Sequence, residues 1–318
     1  MTSIKDLKGY CHPLTPAGRA ALCGAPPWHY ATEYLNVAYR TDPTAIAACL
    51  PEPLAPGPKP DRAYVAFGKW WSLWDGERDM AYTNPERTQY RECALWVGCS
   101  FRGAPGQICV LCWVDNDFTL ARGWFMGFPK KLGVTHLTEH HPLNPVMGPL
   151  GPGTRLKAYV CAHGERLIEA TMAIERRIRP ADLPAPMGLP IFNIRHFPRA
   201  ERAAPAAVLE LVRLGAQDLR YGADLWAGQG GAPVLPLGDR GACATRACRG
   251  AGRLPLRLRL HFHGRRGPAS VGVVERGSCA ARPRRTGLLQ SKLVERRPVS
   301  AGRGVYARIL RDVARTSP

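Results

Sequence analysis

The chain has 318 residues, 45% of them hydrophobic, and a net charge of +19 at pH 7. That length suits one large domain or two modest ones with a real core. No run of eighteen apolar residues is present and the first thirty residues lack a charged start followed by an apolar stretch, so neither a transmembrane helix nor a secretory signal is expected. The charge is unevenly placed: residues 231–318 hold 18 Arg and one Lys against four acids, a net +15, whereas residues 1–230 stand at +4. The front therefore has an ordinary surface, and the excess belongs to the end of the chain. Eleven cysteines, an odd number without framework spacing, read as free thiols in a reducing cytoplasm.

In chain order, residues 1–30 read as an N-terminal extension. Glu33 to Arg40 is rich in strand formers. Thr41-Asp42-Pro43 then caps a short helix from Thr44 to Leu50, stopped by Pro51 and Pro53. Residues 62–74 and 90–101 read as strands, and Gly103 and Pro105 turn the chain into a further strand, Ile108 to Val114. Asp115-Asn116-Asp117 breaks that strand, and Phe118 to Phe125 reads as one or two helical turns. Leu156–Ala162 and Arg166–Glu175 flank His163-Gly164-Glu165, a hairpin signal. Residues 207–213 and 218–227 read as another pair of strands. Many strands at short spacing with few short helices predict a mainly β fold, an antiparallel β-barrel or sandwich, over residues 31–230.

Several sites are weakly supported. Cys109-Val110-Leu111-Cys112 has the spacing of a zinc pair, but within a strand that spacing sends the sulfurs to opposite faces, so core thiols are the better reading. His140-His141 lies in a polar turn and reads as solvated. There is no nucleophile elbow, phosphate-binding loop or dinucleotide fingerprint.

The chemistry concentrates in Phe128-Pro129-Lys130-Lys131-Leu132-Gly133, behind the aromatic run Trp124 to Phe128. Two adjacent ammoniums facing apolar groups each disfavour the other's charge, and a neutral lysine amine is a nucleophile toward ketones. The alternative is a solvated basic turn, since lysine is rarely buried without a partner.

Four stretches, in order, resemble the acetoacetate decarboxylase family: Tyr34 to Asp42, then Pro51-Glu52-Pro53-Leu54, then Tyr90-x-Glu92 with Ser100-Phe101, then Asp115-Asn116-Asp117 followed by the lysine motif. The resemblance covers residues 30 to 230. It implies that Lys130 is the imine-forming lysine, Lys131 its electrostatic neighbour and Glu92 the active-site glutamate that orients the lysine or moves protons. Without the resemblance, Glu92 reads as an outward-facing strand residue. Two features depart from the family's decarboxylases: Thr32 stands where they carry an arginine, and Tyr64 to Lys69 lacks their second glutamate. Relatives with such pockets include aldolase-dehydratases. The resemblance thus implies Schiff-base chemistry on a small keto acid, by decarboxylation or by aldol condensation and dehydration, in a homo-oligomer without metal or organic cofactor. A non-catalytic barrel with a degenerate pocket is the competing reading.

Residues 231–318 are rich in Arg, Gly, Ala and Pro. Only Arg253 to Leu260 alternates like a strand. Three readings compete for this tail: an RNA- or membrane-surface-binding arm, a disordered segment, and an out-of-frame translation of a GC-rich gene beginning near Gln229-Gly230-Gly231. With only Phe262 and Tyr306 to stack on bases, nucleic-acid binding is not expected.

Overall fold

A computed structural model of the chain describes residues 3–216, 218–222, 225–231 and 270–276. Its strands are β1 (Trp28–Arg40), β2 (Leu54–Pro56), β3 (Arg62–Trp74), β4 (Gln89–Phe101), β5 (Ala104–Val114), β6 (Lys130–Leu132), β7 (Val134–Leu137), β8 (Arg155–Ala162), β9 (Glu165–Arg177), β10 (Ile191–Phe197), β11 (Val208–Gly215), β12 (Trp226–Gly231) and β13 (Ser270–Arg276). The helices are α1 (Pro43–Ala48), α2 (Met80–Thr83) and α3 (Asp117–Phe125), with a few single 3-10 turns.

Nine strands form one sheet in the order β1-β3-β4-β5-β10-β11-β13, with β2 against β4 and β6 against β5; β12-β9-β8-β7 form a second. This is the expected mainly β fold, but no barrel closes among the described residues. The large sheet is also mixed, because β6 and β10 run parallel to β5. For β6 the reason is α3, which carries the chain back along the sheet after β5, so that strand re-enters in the same direction instead of returning as a hairpin.

Alternation explains the packing. One face of β1, β3, β4 and β5 presents Leu35, Val37, Val65, Phe67, Cys93, Leu95 and Trp113 to the second sheet, which answers with Val160, Leu167, Ile168 and Met172. The opposite face carries Tyr64, Ala66, Tyr90, Ala94, Cys112 and Val114 beneath Phe118 of α3. The expected hairpin turns at His163 (φ 52°) and Gly164 (φ 80°).

Three local expectations change. Cys109 and Cys112 belong to the same buried cluster, because the register slips between Leu95 and Trp96: Leu111 faces Leu95 and Cys109 faces Trp96, leaving Val110 as a bulge. One extra residue restores phase, so a spacing of three returns to one face. Both sulfurs are core thiols, and burial, with a contact from Cys109, pushes the Cys112 thiol well up. The strands expected at 207–213 and 218–227 do not pair. β11 lies in the large sheet, whereas β12 starts only at Trp226 and pairs with β9. β1 starts at Trp28, inside the segment taken as an extension, and residues ahead of it pack as a small cluster of Cys11, Ala21 and Cys23 against Phe125. Apart from Gly231 and β13, the Arg-rich tail, including the strand-like Arg253 to Leu260, lies outside the described residues.

Candidate active site

Lys130 is positioned by the way α3 ends. Asn116 caps the helix start, its Oδ1 accepting from Phe118 N at 3.3 Å. At the far end Gly127 N donates to Trp124 O (3.0 Å) and Phe128 N to Gly123 O (2.9 Å), with Gly127 at φ 79°. This paired closure through a left-handed glycine reverses the chain tightly, and Pro129 prevents the helix from resuming. Lys130 then enters β6 and its side chain runs back along α3 past Gly123. A Cβ on Gly123 would stand 2.8 Å from Lys130 Cε and 2.9 Å from Cγ, so only glycine leaves room for the lysine stem.

The ammonium is buried, with Lys130 6% exposed. Lys130 Nζ pairs with Glu92 Oε2 at 2.9 Å and donates to Thr119 Oγ1 at 2.8 Å. It also lies 5.1 Å from the Tyr90 ring centroid and 5.7 Å from that of Phe128. Glu92 is 7% exposed, so the strand residue that read as outward-facing points inward. Burial works to depress the lysine pKa, but Glu92, then Tyr90 and Cys112, outweigh it and hold Lys130 above the ordinary lysine range.

That direction is opposite to the lowering expected from a neighbouring Lys131. Strand alternation sends Lys131 to the exposed side of β6 while Lys130 points in, so the structure does not bring the second ammonium to the site. The aromatic wall also differs. Of the run Trp124 to Phe128, Phe128 faces the ammonium; Met126 packs with Trp28 and Trp74, and half-exposed Trp124 donates to the Lys130 carbonyl at 3.0 Å.

Register brings the rest of the site together. Thr32 faces Trp70 and Trp70 faces Tyr90; Tyr34 faces Gly68 and Gly68 faces Glu92; Ala94 faces Cys112 and Cys112 faces Lys130. The site thus occupies one face of five strands, roofed by α3.

Sequence reasoning missed Arg122. It is 1% exposed, with its Cζ 5.0 Å from the Tyr30 ring, 5.3 Å from Phe118 and 5.8 Å from Trp28. Nη1 donates to Ser72 Oγ at 2.7 Å, whereas Nε and Nη2 are buried without a well-formed hydrogen bond, and Tyr90 stands beside the guanidinium as a further side-chain partner. Burial opposes its charge, but Tyr30 and Tyr90 outweigh that and keep it protonated. Tyr90 interacts electrostatically with both Lys130 and Arg122. The available signal was spacing: Thr119, Arg122 and Gly123 fall on one helical face, and all three are buried. Among the described residues no group of three or more His, Cys, Asp or Glu side chains is placed to hold a metal ion.

A two-sheet β fold with a lysine–glutamate pair buried beneath a helix defines a protein with a lysine-centred site. The acetoacetate decarboxylase family model matches residues 11–233, and the chain belongs to that family. It is 33% identical to the acetoacetate decarboxylase of Clostridium beijerinckii over 127 residues, 39% of this chain and 45% of that one. It thus spans under half the length of this curated relative. Among solved structures it resembles the enduracididine biosynthesis enzyme MppR complexed with pyruvate (TM-score 0.71, 29% identity, 85% of this chain and 98% of that one). MppR has also been solved with the condensation product of pyruvate and imidazole 4-carboxaldehyde. An acetoacetate decarboxylase-like enzyme from Sphingomonas wittichii RW1 is similar at TM-score 0.73 and 27% identity, covering 83% of this chain and 99% of that one.

Proposed function

We propose that this chain is a lysine Schiff-base enzyme acting on a small keto acid, with Lys130 as nucleophile, Glu92 as proton carrier and Arg122 as carboxylate anchor. The observation that carries this reading is the buried contact of Lys130 Nζ with Glu92 Oε2 at 2.9 Å. A resting ammonium is not a nucleophile, so the first step is proton transfer to Glu92 across that contact. The amine then adds to the ketone carbon, forming the C–N bond, and the carbonyl oxygen takes up a proton. Loss of water leaves an iminium, an electron sink. A carboxylate β to that carbon can leave as carbon dioxide. A proton on the adjacent carbon can instead pass to Glu92, giving an enamine that attacks an aldehyde. Hydrolysis of the final iminium frees Lys130.

Two observations favour a short 2-keto acid and the enamine route. Ser72 engages Nη1 of Arg122, and the Nε and Nη2 edge makes no well-formed hydrogen bond although Tyr90 stands beside the guanidinium; that is the edge that binds a carboxylate side-on through two bonds. Both cations also interact electrostatically with Tyr90, which suits a carboxylate close to the reacting carbon, and the similar MppR binds pyruvate. The reading includes a cytoplasmic homo-oligomer; the described cysteines are all free. No helix among the described residues is long and apolar enough to cross a membrane.

The test is incubation with pyruvate or acetoacetate, reduction with borohydride, and peptide mass spectrometry. An adduct on Lys130, absent from Lys130→Arg, is expected. No adduct with any of several keto acids removes the reading. The competing reading, a non-catalytic binding protein, draws on the pairing that keeps Lys130 protonated, and an adduct without turnover favours it.

A further inference from the structure

We propose that the Tyr30 hydroxyl is a substrate-binding group that completes, with Arg122, a three-donor socket for the carboxylate of the keto acid. This deepens the function proposed above and rests on it. Tyr30 stands on β1 opposite Ser72, the residue that orients Arg122 through Nη1. Its ring lies 5.0 Å from the Arg122 Cζ. The Tyr30 Oη, like Nε and Nη2 of Arg122, is buried and makes no well-formed hydrogen bond.

Tyr30 Oη and the Nε and Nη2 of Arg122 are thus neighbouring buried donors without a well-formed hydrogen bond, with Tyr90 beside the guanidinium as its other side-chain partner. Each unmet donor carries the desolvation cost of a group taken from water without compensation. A hydroxyl can also accept, and the guanidinium offers only donors, but no hydrogen bond joins the two. Burial raises the phenol pKa despite the opposing charges of Arg122 and Lys130, so the hydroxyl keeps its proton to donate. A carboxylate offers about four lone-pair sites on two oxygens. The guanidinium edge occupies one on each oxygen, and the phenol takes a third. A neutral ketone lacks a second charged group and leaves the socket empty. Tyr30 thereby becomes a determinant of specificity for keto acids over simple ketones.

The variant is Tyr30→Phe, which deletes one oxygen and keeps the ring against Arg122 and Trp70. Borohydride trapping on Lys130 is measured against concentration for pyruvate and for acetone, which forms an imine but carries no carboxylate. The expected result is a roughly ten-fold or greater rise in half-saturating pyruvate, since hydrogen bonds to charged groups are the strong ones. Half-saturating acetone stays within about two-fold. The melting temperature stays the same or rises, because an unsatisfied hydroxyl has been removed; a merely structural hydroxyl would lower it. Unchanged pyruvate dependence, or equal losses with both ketones, overturns the proposal. A parental protein that traps no keto acid defeats the Schiff-base reading by itself. The socket is then judged by calorimetry with oxamate, a pyruvate isostere that forms no imine. About ten-fold weaker binding to Tyr30→Phe supports it. Equal binding, or no binding to the parental protein, overturns it.

Discussion

Replacing Glu92 by Gln tests the centre of the site, because it removes one charge and keeps nearly the same shape. Lys130 Nζ stands 2.9 Å from Glu92 Oε2, and at an effective dielectric of about 20 that pair is worth about 6 kcal/mol. Such an energy corresponds to roughly four powers of ten in the ratio of ammonium to amine. In the parental protein this attraction overcomes burial and holds the ammonium above the ordinary lysine range. Without it burial prevails, and the direction of the shift reverses. The assay is the single-turnover rate of borohydride-trapped imine with pyruvate as a function of pH. The parental rate climbs through the alkaline range as amine becomes available, whereas in Glu92→Gln the climb moves several pH units toward neutrality. Multiple turnover falls about 10²- to 10⁴-fold, the usual contribution of a positioned proton carrier. The sign for stability follows from the same shift. A base whose folded pKa is raised contributes fully below its unfolded pKa and loses that contribution as pH rises through the folded one. The stability gap between parent and variant is therefore widest below the ordinary lysine value of 10.5 and narrows above it. If the alkaline climb stays in place in Glu92→Gln, Glu92 does not hold the Lys130 proton.

Three further substitutions separate the roles. Arg122→Met keeps an unbranched apolar side chain among Tyr30, Phe118 and Trp28; half-saturating keto acid rises about 30-fold or more, from the 2–5 kcal/mol attached to a buried charge pair, with little loss of melting temperature. An unchanged half-saturation shows that the guanidinium does not hold substrate. Gly123→Ala favours the helix by about 1 kcal/mol yet drives a methyl into the Lys130 stem. The net expectation is a loss of about 1–3 kcal/mol in denaturant unfolding from overpacking and imine trapping slowed at least ten-fold. Trapping at the parental rate shows that the lysine does not need that path. Lys131→Ala, on the exposed side of β6, changes trapping by less than about two-fold; a larger effect restores the second lysine to the site.

Much of this was legible in the sequence, and the gaps have physical causes. β3 spans residues 62–74 and β4 starts one residue before the expected 90, because long runs of aromatic and β-branched residues bounded by turns have few alternatives. Asn116, Gly127 and Pro129 announce both ends of α3. What escaped is what depends on partners. Lys-Lys invites a pairwise reading, yet alternation separates neighbours and cross-strand pairing supplies Glu92 from 38 positions away. Arg122 looks like any surface charge on a helix until the aromatic cage around it is seen. The Cys109 and Cys112 sulfurs share a face because of a bulge that no spacing rule contains. β10 follows a proline-rich run, Pro184 to Pro190, and its Asn, Arg and His obscured the pattern.

The site depends more on register than on any one loop. Its residues sit at even offsets, at 30, 32 and 34 on β1, at 68, 70 and 72 on β3, and at 90, 92 and 94 on β4, joined by direct cross-strand pairing. The period of a strand is two, so a one-residue slip of β4 would turn Glu92 toward the second sheet and present Cys93 to the lysine. The segment between β3 and β4, with its two 3-10 turns and α2, can vary in length without touching this alignment. A single insertion inside β4 cannot. Glu92 is held in register on both sides, by Gly68 of β3 and Val114 of β5, and each of those strands is in turn bound to another. Glu92 therefore sits in the interior of the sheet, where slippage is most strongly opposed. The lysine arrives on β6, a three-residue strand whose position is fixed by the capped end of α3. Glu92 is thus locked in the register of the sheet, and Lys130 is brought to it by a three-residue strand anchored at the capped end of α3.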